Sequence, residues 1–146
     1  MHHLRRVKSM NMEIETAVAA WIGSISDLMG MAIHPGQTDE EIPNDEPVIF
    51  VACDSAAATA PSLYIASVKI IISSPVVITG SLAAHKAAVA ILRSSISDSA
   101  AIANQFAQPL SCRGGSMSGW DDSRTQTHWT TEITLTLGIV DESAVI

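Results

Sequence analysis

From Trp129 to Ile139 a mainly apolar set, Trp129, Thr131, Ile133, Leu135, Leu137 and Ile139, alternates with a polar one, His128, Thr130, Glu132, Thr134 and Thr136. A period of two is the side-chain period of an extended strand, so this segment predicts a strand with one buried face and one wet face. That requires a sheet covered on one side. Leu63–Ser73 is rich in β-branched residues and predicts a second strand, with Tyr64, Ala66, Val68, Ile70 and Ile72 on an apolar face and Leu63, Ile65, Ser67, Lys69, Ile71 and Ser73 on a mixed one. The continuous apolar run Val48–Cys53 predicts a strand before it, joined through the small-residue segment Asp54–Pro61.

The helices carry a different period. Ile14, Ala17, Val18, Trp21, Ile22, Ile25, Leu28 and Met29 recur at three and four, predicting an amphipathic helix over Met12–Met29 that stops at Gly30. A second helix is expected from Ser81, placed as its N-cap, through the Ala-rich run Leu82–Leu92, whose smooth surface suits close packing on a sheet. Asp98 could cap a shorter helix reaching Phe106. Pro109–Arg124, rich in Gly, Ser and charge, reads as a long turn or irregular hairpin. The order helix, strand, strand, helix, one or two strands gives an α+β class: a mostly antiparallel sheet with two helices packed on one face. Residues 1–10 read as a basic, flexible N-terminal arm and residues 11–146 as one α+β domain, long enough to bury an independent core.

Charge narrows the partners. The chain carries a formal −7, and the segment after residue 10 carries five cations against fifteen acids, or −10. Five scattered cations cannot form the basic face that grips phosphates, so tight nucleic-acid binding is not expected. No apolar run is long enough for a membrane helix, and the basic first residues lead into Glu13 and Glu15 rather than an apolar signal core, so neither a membrane protein nor export by that route is expected. Cys53 and Cys112 have no metal-ligand spacing and read as small buried thiols in a reducing compartment. Gln37–Pro47 packs five acids and two prolines into eleven residues and reads as a flexible acidic loop, with Asp39, Glu40 and Glu41 the acids placed toward a channel or in that loop.

Motifs for bond-making chemistry are wanting. Gly114 and Gly119 have the separation of a phosphate loop, but Trp120 stands where its lysine belongs. Midway between Gly115 and Gly119 stands Met117, not the serine of a nucleophile elbow. His85, beside Lys86, reads as a helix-surface residue. His128 with a serine from residues 111–118 and Asp121 or Asp122 could form a hydrolytic set, the one enzymatic alternative. The acid pair Asp121–Asp122 points to opposite sides of an extended chain, which disfavours a metal pair. No catalytic residue, metal or cofactor is expected.

A surface argument remains. With Leu63, Ile65 and Ile71 opposite Val68, Ile70 and Ile72, the sheet is partly apolar on both faces and one layer of helices covers only one of them. The other is expected to associate with a neighbour, unless residues 54–61 and 109–124 fold across it.

The N-terminal amphipathic helix, the Pro-flanked strand Pro47–Val51, the long strand Tyr64–Ser73, the Ala-rich helix containing His85 and the late strand Trp129–Ile139 together resemble, over residues 12–140, the tail terminator or tail completion proteins of long-tailed bacteriophages. The resemblance implies a non-enzymatic structural protein: a ring, commonly a hexamer, at the head-proximal end of the virion tail, assembled in the host cytoplasm. Such a ring caps the tail tube protein, joins it to the head–tail connector protein and lets DNA pass without tight binding. The acidic body suits a channel that must not retain phosphates. A closed ring needs a heterologous interface, in which one patch meets a different patch on the next copy. Composition places Arg113, Trp120, Arg124, Ile65 and Ile71 there. The nearest alternatives are another head-to-tail joining protein or a tail tube subunit.

Overall fold

The computed structural model describes residues 2–28, 31–36 and 45–142. Helix α1 spans His2–Gly23, and a 3-10 turn follows at Ser26–Leu28. Strands β1 (Ala32–Pro35), β2 (Val48–Ala60) and β3 (Leu63–Pro75) come next, then helices α2 (Ser81–Ile96) and α3 (Ser99–Ala103), then β4 (Leu110–Arg124) and β5 (His128–Asp141). The five strands form one sheet in the order β1-β2-β3-β5-β4. Only the β1–β2 pair is parallel. The α+β class with a mostly antiparallel sheet is as expected, with three α-helices among the described residues rather than two. The third is the short α3, whose N-cap is Asp98: its carboxylate accepts a hydrogen bond from the Ala101 N–H.

The alternation sets the layers. Ala66, Val68, Ile70 and Ile72 of β3 and Ile133, Leu135, Leu137 and Ile139 of β5 are all buried on the helix-bearing face. There they meet Ile14, Val18, Trp21 and Ile22 of α1 and Ala88, Val89, Leu92 and Ile96 of α2 in a single core. α1 lies against β1 and β2, α2 against β3 and the β4–β5 pair, and α3 against β4. The buried positions of α2 (81, 85, 88, 89, 92 and 96) trace one helical stripe.

Several expectations are corrected. α1 begins at His2, ten residues before Met12, and Met10 continues the stripe one turn ahead of Ile14 and is fully buried with it; residues 2–10 are helical backbone, not a separate arm. The segment Asp54–Pro61 is not a loop, since β2 continues to Ala60 through irregularities between Cys53 and Ser55 and between Ala58 and Ala60. Pro109–Arg124 is likewise not a turn but the 15-residue strand β4, with irregularities between Cys112 and Gly114 and between Met117 and Gly119. In both cases the small or turn-forming residues are tolerated because a long antiparallel partner supplies the ladder that local propensity does not. Gly80, at φ +77°, occupies the N-cap of α2, and Ser81 is its first helical residue. Asp39, Glu40 and Glu41 lie outside the described residues.

Neither long hairpin folds across the second face. Its centre is polar: Lys69 bridges Asp54 at 3.4 Å and Glu132 at 3.1 Å. Its apolar residues are divided. Ile71 neighbours the fully buried Phe50, on which His34 stacks with ring centroids 5.7 Å apart, while Ile65 is 41% exposed toward the other end of β3.

Candidate functional site

Strand register brings three rows of side chains to the helix-bearing face near the β4–β5 turn, two of them carrying polar groups. Ser74 lies beside Trp129 and Arg124, Ile72 beside Thr131 and Asp122, and Ile70 beside Ile133 and Trp120. Over the first two rows α2 lowers His85, one turn after Ser81. The result is a continuous polar chain through the core. Ser74 Oγ is 2.8 Å from His85 Nδ1, His85 Nε2 is 2.8 Å from Thr131 Oγ1, Thr131 Oγ1 donates to Asp122 Oδ1 at 2.7 Å, and Trp120 Nε1 donates to Asp122 Oδ2 at 2.7 Å.

The proton inventory of this chain fixes each donor. Thr131 has one hydroxyl proton and gives it to a carboxylate that can only accept, so His85 Nε2 must carry the hydrogen that reaches Thr131. A neutral imidazole then leaves Nδ1 as acceptor for the Ser74 hydroxyl. Burial lowers the His85 pKa, against a smaller opposing pull from the Asp122 charge, and so favours this neutral form. At Asp122 burial works upward, but the hydrogen bonds from Thr131 and Trp120, helped by the nearby Arg93 charge, outweigh it and hold the carboxyl below its usual value.

A serine, a histidine and an aspartate in one chain invite a hydrolytic reading, which the geometry opposes. Ser74 is 2% exposed and His85 6%, so no substrate reaches the hydroxyl. A threonine separates the histidine from the acid. The chain instead ties α2 to β3 and β5. His85 is therefore a buried structural residue, not the helix-surface residue expected, because it meets two hydroxyls placed to satisfy both ring nitrogens. The other hydrolytic set fails on distance. Ser116 lies opposite Thr136 and Ser118 beside Thr134 and Thr136, whereas His128 begins β5, about 20 Å or more away at ~3.3 Å per residue. His128 instead contacts Thr127 Oγ1 through Nδ1 at 2.8 Å.

Outside this buried chain opens a groove of about 610 Å³ between α2 and the β4–β5 hairpin. Leu82, Lys86, Val89, Ala90 and Arg93 form one wall, and Trp120, Asp122, Arg124, Trp129 and Thr130 the other. The Arg93 guanidinium lies 3.5 Å from the centroid of the Trp120 ring, and that of Arg124 lies 4.7 Å from Trp129. Each cation is thus held over an aromatic ring while remaining exposed. Three of the five cations that follow residue 10 line this groove. Arginine and tryptophan are the residue types that most often anchor association.

The expected interface residues are thus divided among surfaces. Trp120 and Arg124 stand together in the groove, Arg113 is exposed on the edge strand β4, and Ile65 and Ile71 belong to the opposite face. Sequence reasoning missed Arg93, Lys86 and Trp129 as partners of Trp120. The signal was present: 120, 122 and 124 share a strand face, and 82, 86, 89 and 93 share a helix face. Asp121 and Asp122 do face opposite ways, and among the described residues no cluster of three or more His, Cys, Asp or Glu side chains could hold a metal. Cys53 and Cys112 are both free and buried. A scan against protein-family models finds no match to this chain, and a search of curated proteins finds no significant relative.

Proposed function

We propose that the chain is a structural subunit of a long-tailed bacteriophage virion, a tail terminator that forms a ring, caps the tail tube and joins it to the head connector. The groove carries this reading. On a body of net charge −7, a cleft pairing two arginines and a lysine with two tryptophans is built to hold another chain, while the histidine at its floor is largely buried and bonded to two hydroxyls. The resemblance in element order over residues 12–140 supports the same setting, and the acidic body suits a conduit through which DNA slides without being retained. No described helix is long and apolar enough to cross a membrane.

Native mass spectrometry of the full chain, alone and mixed with tail tubes, tests the reading. The expected species lies near six times 15.4 kDa. Electron microscopy separates a closed ring from the open stacks of a tube subunit. A chain that stays monomeric with and without tubes refutes the proposal.

A further inference from the structure

The groove is half of an interface, and the rest of the chain names a complement for it. Its walls supply Lys86, Arg93 and Arg124, and among the described residues neither arginine is in a salt bridge. The largest concentration of opposite charge in the chain is Gln37–Pro47 (QTDEEIPNDEP), with five of the fifteen acids, an apolar Ile42 and two prolines. Asp45 and Glu46, at its described end, are exposed. We propose that the groove between α2 and the β4–β5 hairpin receives this acidic segment from a second copy of the chain. The inference rests on the ring reading and identifies the contact that closes it.

Sheet order gives the geometry. The segment joins β1 to β2 at one side of the sheet, whereas the groove sits over β5 and β4 at the other, three strand spacings or ~14 Å from β2. The groove and the strands that flank the segment are different parts of the sheet, so a contact between copies joins unlike patches, the head-to-tail arrangement that closes a ring by repeating one contact. The competing way to join flanks, edge-to-edge strand pairing, is hindered on both sides. β4 is irregular near Arg113 and Ser118, β2 near Asp54 and Thr59, and the Cys53 N–H on the β2 edge already donates to Glu15 Oε2 at 2.8 Å. The groove volume falls within the ~300–1,000 Å³ of peptide- and ligand-sized clefts. Carboxylates fit the exposed guanidinium edges.

The test uses full-length chains carrying reversed charges on one side or the other: R93E/R124E in the groove, D39K/E40K/E41K in the segment. Each alone is expected to lose the assembly seen for the wild-type chain, and an equal mixture to regain it, because each variant then offers what the other needs. In parallel, a synthetic peptide of residues 37–47 is titrated while tryptophan emission is followed. It should bind the wild-type chain and bind R93E/R124E at least about tenfold more weakly, with weakening in high salt. Both arginines are exposed, so circular dichroism should be unchanged; R93Q/R124Q serves if the reversal disturbs folding.

Wild-type assembly that survives in both variants overturns the groove proposal and leaves the ring standing. Loss in the groove variant alone gives the groove to a different acidic partner and also overturns it, as does a peptide indifferent to the arginines. A wild-type chain that never assembles refutes the ring instead, and peptide binding that depends on the arginines then still assigns the groove its preference for this segment.

Discussion

Replacing Thr131 by valine isolates the buried polar chain from packing, because valine keeps the volume of threonine and removes only the hydroxyl. Thr131 is 1% exposed and its oxygen serves two partners, accepting from His85 Nε2 and donating to Asp122 Oδ1. The two losses are unequal. Asp122 is exposed and can turn to water, whereas the buried Nε2–H is left without an acceptor, and an orphaned buried donor costs about 1–3 kcal/mol. Thr131→Val should therefore destabilise the fold by about 2 kcal/mol, and Thr131→Ser, which keeps the hydroxyl and loses one methyl, by about 1 kcal/mol. With a urea dependence of about 2 kcal/mol per molar, the valine variant should unfold about 1 M earlier than wild type at one fixed protein concentration. A valine variant as stable as wild type, or more stable than the serine variant, would refute the assignment of His85 as a donor to Thr131.

Acid should weaken the fold through His85. Its folded pKa lies below the unfolded value near 6.5, so the unfolded chain binds the extra proton first; the contribution is complete above that value and is lost as pH falls through it toward the folded pKa, by up to about 1.4 kcal/mol per pH unit. Urea midpoints between pH 7.5 and 5 should show this slope in wild type and a flatter one in His85→Gln; equal slopes would remove His85 as the cause. Strand β4 offers a paired test of close approach. A Cβ on Gly115 would stand 2.5 Å from Leu137 Cδ2, while one on Gly114 meets nothing within 4 Å. Gly115→Ala should cost about 1–3 kcal/mol by chemical denaturation and Gly114→Ala much less, and the reverse order would show that the two strands are paired in a different register.

The layered α+β plan was readable because it is written in local periods. Alternation from Trp129 to Ile139 and spacing from Ile14 to Leu28 each state which side of an element faces the core, and neither depends on knowing the partner. Composition misled at Asp54–Pro61 and Pro109–Arg124, where Ala, Ser and Gly look like loop but lie in strands β2 and β4. Their pairing energy comes from β3 and β5, far away in the chain, and local propensity carries no record of it.

The site was legible only in fragments. Trp120 and Arg124 stood out by residue type, but Arg93 and Lys86 lie on a helix and Trp129 on the next strand, and they meet Trp120 only through the β4–β5 register and the docking of α2. His85 shows the same limit. Beside Lys86 it reads as surface, because sequence gives the helix face but not the depth to which that face sinks, and depth was settled by Ser74 and Thr131 arriving from two strands. By itself the sequence determined the periods, the acidic body and the scarcity of cations, since each follows from residues within a few positions of one another. Tertiary structure alone decided which cations share a cleft and which histidine is buried, because both depend on chain segments tens of residues apart meeting in space.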